Sequence, residues 1–263
     1  MEIARLIKQL FSLDKPDLQV ISREIKEMTR LKRQQRETFG CQKGQVDYLL
    51  MNIFDYERQG LKRGGYFVDL ACADGVDLSN TYFLEKHLEW TGLLFEPNPD
   101  FHDSIASNRT SPLVAECVTD GAAPEVEFRI DNGMLGGIVG EGFDNSAENR
   151  AEELQSARII RVPTVTLADA LDRHGAPRLI DYLSLDVEGA EELILREFDF
   201  SRYKFRFMTI ERPSLALDLL LDRHGYVQLA HSRFDVFYTH RDFLDKVNFE
   251  PRSRFIATPA KDW

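Results

Sequence analysis

From Tyr66 to His240 apolar, strand-like runs alternate with helical patterns, and this alternation is what most constrains the fold. "YFVDLA", "TGLLFEP", "SPLVAECVT", "EVEFRI", "ARIIRVPTV", "RLIDYLSLDV" and "KFRFMTIE" read as strands. "LSNTYFLEKHLEW", "PDFHDSIASNR", "TLADALDRHG", "GAEELILREF" and "SLALDLLLDRHG" read as helices between them. In "TLADALDRHG", Thr166 suits the N-cap, with Asp169 three residues on and Gly175 as the stop. Strands that alternate with helices predict a parallel sheet covered on both faces. The last two strands, "YVQLAHS" and "DVFYTH", leave no room for a helical crossover, so they predict an antiparallel hairpin. The fold class expected is α/β and Rossmann-like, a mostly parallel sheet ending in that hairpin. In such sheets ligands bind beyond the carboxyl ends of the strands, where strand order reverses.

The rest of the chain is read around this body. Residues 1–38 are highly charged with partial helical spacing, and predict a helical appendage that could pair with a second copy of the chain. "GQVDYLLMNIFDYERQG" predicts one more helix, ended by Gly60. Residues 39–250 form the main domain and 251–263 a basic tail. The formal charge of −11 argues against general nucleic-acid binding, because phosphate backbones repel an acidic chain. Cys41, Cys72 and Cys117 are odd in number and widely spaced, which fits neither a disulfide framework nor a Cys-x-x-Cys metal site. No apolar run is long enough to span a membrane and no secretory leader is visible, so a cytoplasmic location is expected.

Four strand ends carry acids, and buried carboxylates are costly without a partner. "VDLACADG" holds Asp69 and Asp74 beside Gly75, "LLFEPNP" holds Glu96, "SLDVEGAEE" holds Asp186 and Glu188, and "MTIERP" holds Glu211. Glu96 could accept hydrogen bonds from both hydroxyls of a ribose. The loop after the first strand lacks the glycines of a dinucleotide site, because Ala71 and Ala73 stand where the backbone would need to approach a phosphate. Its acids, Asp74 and Asp77, would repel a pyrophosphate and suit a cationic ligand. S-adenosylmethionine, with a sulfonium and an ammonium group, is such a ligand.

"CQKGQVDYLL", "GGYFVDLACADGVDLSNTYFLEKHLEWTGLLFEPNP", "VPTVTLADAL", "IDYLSLDVEGAEELIL" and "FMTIE", in that order, resemble the FkbM-type S-adenosylmethionine-dependent methyltransferases. The resemblance runs from about Cys41 to Phe243. It implies the class I methyltransferase fold, with its seven-stranded sheet, and O-methylation of a hydroxyl on a sugar, glycan or small natural product. It also implies roles for residues. Asp69, Ala71, Asp74 and Gly75 become the cofactor loop, with Asn80 and Thr81 near the methionine end. Glu96, Pro97 and Asn98 take the ribose and adenine side, Glu116 and Cys117 lie by the adenine, and Asp186 and Glu188 face the reacting centre. The loop departs from the family pattern where alanine replaces a glycine at Ala71 and Cys72 replaces an alanine. A Cβ at Ala71 restricts the backbone and crowds the cofactor.

Methyl transfer to oxygen needs alignment and removal of the hydroxyl proton. Asp186 and Glu211 end adjacent strands, and with Glu188 they could act directly or hold Mg²⁺. Glu191 is read as a helix-opening acid. His102, His231 and His240 are weaker candidates for the base. "NGMLGGIVGEG" reads as a loop that could close over the acceptor, with Met134, Leu135 and Ile138 as its apolar contacts. Two other readings stand beside this one: a non-catalytic binding protein on the same fold, and a nucleotide-dependent oxidoreductase.

Overall fold

The computed structural model describes residues 45–54, 62–232, 234–247 and 258–259. The expected appendage over residues 1–38, Cys41, Gly60 and most of the tail lie outside them. Gln45–Tyr48 forms one helical turn, α1, which runs on as a π-turn over Leu49–Ile53.

The alternation holds from Tyr66 onward. In chain order come β1 (Tyr66–Leu70), α2 (Tyr82–Leu88), β2 (Thr91–Phe95), α3 (His102–Asn108), β3 (Leu113–Val114), β4 (Cys117–Thr119), β5 (Glu125–Arg129) and β6 (Gly137–Ile138). Then follow α4 (Ala147–Leu154), β7 (Ile159–Thr166), α5 (Leu167–Arg173), β8 (Leu179–Leu185), α6 (Glu191–Arg196), β9 (Lys204–Glu211) and α7 (Leu215–Arg223). The last are β10 (Tyr226–His231), β11 (Asp235–His240) and the short β12 (Thr258–Pro259).

The main sheet has the order β3-β2-β1-β8-β9-β11-β10, with β12 beyond β10. β3, β2, β1, β8 and β9 are parallel neighbours, while β11 runs antiparallel to both β9 and β10. The expected seven-stranded sheet and terminal hairpin are therefore present. Phe67, Val68, Leu93, Leu94, Ile180, Leu183, Phe205 and Met208 are all nearly inaccessible, so both faces of the central strands are covered. That burial is why these strands read as apolar runs rather than as alternating ones. The strand order reverses at β1, which has β2 on one side and β8 on the other.

Three local expectations change. "SPLVAECVT" is not one strand: β3 pairs with β2, whereas β4 pairs with β7 in a second sheet of order β4-β7-β5-β6. Residues 115–116 step between the sheets, and apolar spacing cannot report which partner a strand has. The glycine-rich stretch is not wholly loop, because β6 pairs antiparallel with β5. A Cβ at Gly137 would meet Asn145 Nδ2 at 3.0 Å and Glu188 Cβ at 3.3 Å, so the small residue lets this strand lie close to Glu188. The helix expected from Leu78 begins only at Tyr82. Leu78 takes φ 57, and Ser79 Oγ accepts the N–H groups of Thr81 and Tyr82 as a cap would. In contrast, α5 starts as expected: Thr166 Oγ1 accepts the N–H of Asp169, and Gly175 takes φ 63 after the helix.

Glycine also sets the spacing of the sheet's aromatic layer. A Cβ at Gly92 in β2 would stand 2.3 Å from the carbonyl oxygen of Phe67 and 2.5 Å from its ring. Gly92→Ala should therefore push β1 and β2 apart and lower the unfolding free energy by about 2 kcal/mol in urea denaturation.

Candidate functional site

The carboxyl ends of β2, β1, β8 and β9 lie side by side and carry Glu96, Asp69, Asp186 and Glu211 in turn. Asp69 is buried within β1. Thr81 Oγ1 donates to its Oδ2, and the Ser184 hydroxyl of β8 also bonds the carboxyl. Burial raises the Asp69 pKa, and the charge of the buried Arg109 together with these hydroxyls offsets only part of that rise. Asn80 donates Nδ2 to Ser184 Oγ at 3.1 Å, while its own Oδ1 is buried with no partner among the described residues.

The loop after β1 folds against β2. The N–H groups of Ala71 and Cys72 both donate to the Phe95 carbonyl, at 2.9 and 3.1 Å. Ala71 takes φ 63 and Ala73 φ 48, the left-handed region where a Cβ is unfavourable, and Gly75 follows at φ 80. Glu96 closes the loop from below: Oε2 accepts the N–H of Ala73 at 2.9 Å and Oε1 that of Asn98 at 2.8 Å. Burial nevertheless lifts Glu96 to about 7 against these two bonds. Each of its oxygens keeps a further lone pair for a hydroxyl donor.

Two cavities meet at Leu70 and Ala71, which line both. The larger, of about 130 Å³, is bordered by Asp69, Asp77, Asn80, Ser184, Asp186 and Glu188, with Leu78, Met134 and Leu135 on its apolar side. These last three side chains are 50%, 39% and 48% exposed. The smaller, of about 30 Å³, is an apolar slot between Phe95, Pro97, Cys117, Phe128 and Ile138, with Glu116 at its border. Glu116 is held there by Arg173 at 2.6 Å.

At the ends of β8 and β9 one carboxylate oxygen each from Asp186, Glu188 and Glu211 lies within 4.8 Å of the other two. Burial, then the charge of Glu211 and a hydrogen bond shared with it, hold the Asp186 carboxyl well above the ordinary range. Glu188, at the left-handed φ of 56, is raised to about 7 by burial, by a hydrogen bond with Asp144 and by Glu211. Arg212 faces the group: its Nη2 lies 2.6 Å from Asp144, 2.9 Å from Glu211 and 3.5 Å from Glu188. Glu191 does not join the cluster. Its Oε1 accepts the N–H groups of Val187 and Gly189, so it braces the turn that presents Glu188.

The family model for the Methyltransferase FkbM domain matches residues 69–250, more than half of the chain. The chain belongs to this family. Membership implies S-adenosylmethionine-dependent methyl transfer, and the strand order described above is that of a class I methyltransferase. No curated protein gives a significant match.

Within this FkbM-family domain the residues singled out from sequence divide into three groups. Asp69, Ala71, Asn80, Asp186 and Glu188 border the larger cavity, and Ala71, Pro97, Glu116 and Cys117 border the smaller. Asp74, Gly75, Thr81, Glu96, Asn98 and Glu211 border neither of the two. Asp74 Oδ1 is taken up by the N–H groups of Val76 and Asp77, and it is Asp77 that faces the larger cavity. The Asn98 side chain bonds Asp100 N–H and the Ile130 carbonyl. His102 and His231 bond backbone carbonyls, His240 accepts the N–H of Asp242, and none of the three lines either cavity. Met134 and Leu135 border the larger cavity, whereas Ile138 borders the slot. Sequence reading missed Arg109, Glu85, Ser184, Arg212 and Asp144. Arg212 directly follows the acid that was identified, but nothing local marks the other four.

The cofactor's chemistry fits these residues. Asn80 Oδ1 is an unused buried acceptor beside Asp69, suited to an ammonium group, and the apolar slot suits a planar base.

Two outcomes follow from the backbone and the acids. Ala71→Gly removes a left-handed alanine and should raise the unfolding free energy by about 0.5–1 kcal/mol, read from denaturant melts. The raised carboxyls Glu96, Glu188 and Asp186 bind a proton more tightly in the fold than in the unfolded chain. Their contribution to stability is full below the ordinary carboxylate range and is lost as pH rises, through about 7 for Glu96 and Glu188, and above the ordinary carboxylate range for Asp186. His240, with a lowered value, works in the opposite sense. The ligand-free protein should be more stable at pH 5.5 than at pH 8 by on the order of 2 kcal/mol. Asp186→Asn should flatten that dependence in thermal melts, since an amide can still donate to Glu211 but cannot ionise.

Proposed function

We propose that this chain is an O-methyltransferase that transfers the methyl group of S-adenosylmethionine to a hydroxyl of a sugar, glycan or small natural product. The observation that carries the reading is the convergence of Asp186, Glu188 and Glu211, the first two of which border the same cavity as Asp69 and Asn80. In this reading the apolar slot takes the adenine and Glu96 accepts the ribose hydroxyls. Asp69 and Asn80 hold the amino-acid end, so the sulfonium faces the acids of β8 and β9.

The cofactor supplies a methyl carbon activated by positive sulfur. As the oxygen–carbon bond forms and the carbon–sulfur bond breaks, the acceptor's proton has to leave. A carboxylate whose pKa is lifted toward 7 is a far better proton acceptor than one in water. Glu188 takes that part here, or Asp186, whose carboxyl is likewise held above the ordinary range and shares a hydrogen bond with Glu211. Arg212 limits the accumulated charge on Glu188 and Glu211.

The same three carboxylates suit a hard divalent cation such as Mg²⁺ in donor type and spacing. Bound there, Mg²⁺ would lower the pKa of the acceptor hydroxyl. Carboxylates border the larger cavity and, among the described residues, no basic side chain does, which favours a neutral or amine-bearing acceptor over a phosphorylated one. Leu78, Met134 and Leu135 provide an apolar face for it.

Asp186→Asn and Glu211→Gln should each reduce methyl transfer by about 100-fold or more while leaving S-adenosylhomocysteine binding within a few-fold of wild type. The check is calorimetry beside a radiolabelled methyl-transfer assay over a panel of hydroxylated acceptors. Loss of the rate in EDTA and its return with Mg²⁺ would place the cation in the reaction, and an unchanged rate would remove it.

A further inference from the structure

Arg109 lies outside every motif described above, yet its side chain is wholly buried beneath the cofactor loop. It stands at the end of α3, against the rings of Phe67 and Tyr82, with centroid distances of 5.6 and 5.7 Å. Nη1 donates to the Gly75 carbonyl at 3.0 Å and reaches Ser79 Oγ at 3.4 Å. Nη2 donates to Thr81 Oγ1 at 2.9 Å and lies 3.3 Å from the Glu85 carboxylate. Gly75 is part of this arrangement, because a Cβ there would meet Arg109 Cγ at 3.1 Å.

The donor and acceptor types give the contact a direction. A guanidinium can only donate, so Thr81 Oγ1 must accept from Arg109. Its single proton then goes to Asp69 Oδ2. A second chain mirrors the first: Asn80 Nδ2 donates to Ser184 Oγ, whose proton is left for Asp69. Asp69 therefore sits where two polarised chains end, and each favours the ionised acceptor over a protonated carboxyl.

We propose that Arg109 is a positioning residue of the cofactor site, acting through Thr81 to hold the Asp69 carboxylate charged and aimed at the ammonium group of the cofactor. The proposal rests on the reading of this cavity as the S-adenosylmethionine site. A merely structural arginine would be satisfied by Glu85, whose own carboxyl is buried yet lowered by Arg109, Ser111 and Thr110. Such a role would not couple to ligand charge. The groups facing Asp69 are Arg109 and Thr81 from the loop side, Ser184 and Tyr182 from β8, Cys72 and Glu96 from the neighbouring turns, and Glu85 from α2. Of the charged ones only Arg109 favours ionisation, and without it burial and the two glutamates all push toward the protonated form.

The test is calorimetric titration of the full chain with S-adenosylhomocysteine between pH 5.5 and 8.5. The readout is the ratio of variant to wild-type affinity, which cancels the titration of Glu96 common to all. Arg109→Met should bind several-fold more weakly than wild type at pH 5.5 and approach it at pH 8.5, since each unit by which the Asp69 pKa rises lowers the ionised fraction by at most about ten-fold, and only on the acid side. Arg109→Lys should restore most of the loss at low pH. Thr81→Val, which cuts the chain but leaves the Arg109–Glu85 pair, should show the same acid-side loss and decides the matter if Arg109→Met does not fold. Ratios that stay level with pH in the folded variants overturn the proposal while leaving the cofactor reading in place. A wild-type protein that does not bind S-adenosylhomocysteine at any pH overturns the cofactor reading and the proposal with it.

Discussion

A carboxylate inside the central strand of a parallel sheet has to be solvated by the protein itself, and the rest of this domain is arranged around that requirement at Asp69. Water cannot reach it freely, and an uncompensated charge at that depth would cost several kcal/mol. Thr81 answers from the loop, Ser184 from the neighbouring strand, and Arg109 from beyond α3. Through these contacts β1, β8, the loop over residues 71–81 and α2 are held in one geometry. The loop can then tolerate alanines in the left-handed region at residues 71 and 73, because its carbonyls and N–H groups are taken up by Arg109, Glu96 and Phe95.

The ends of β8 and β9 show the opposite condition. Among the described residues, Asp186, Glu188 and Glu211 are brought together with only Arg212 as a nearby counter-charge, and Arg212 is shared with Asp144. Like charges gathered at a cavity edge destabilise a fold, so such a cluster is the kind of feature that a binding or proton-transfer role explains. Glu188 is presented by a backbone at φ 56 and braced by Glu191. Gly137 of β6 packs against its Cβ, so the second sheet shapes this edge of the cavity as well.

Much of this was legible in the chain. Asp69, Glu96, Asp186 and Glu211 could be found because each interrupts or ends an apolar run, and an acid in that position needs a reason. The sheet and its hairpin were legible because helix and strand periods differ and because the last two strands are too close for a crossover. Arg109 was not legible: it follows a short helix in a polar stretch, and its meaning depends on a loop thirty-four residues earlier passing over it. Asp74 misled in part. Its charge looked available to a ligand, but an aspartate one residue before a glycine readily turns its carboxylate onto its own backbone.

By itself, the sequence determined the α/β class, the terminal hairpin and the row of acids at the strand ends, since these follow from period, strand length and the cost of burying charge. Only the tertiary structure decided which acids share a cavity, which are spent on backbone N–H groups, and which buried cation supports them. Those outcomes depend on side-chain direction and on contacts between residues far apart in the chain, and neither local period nor composition encodes them.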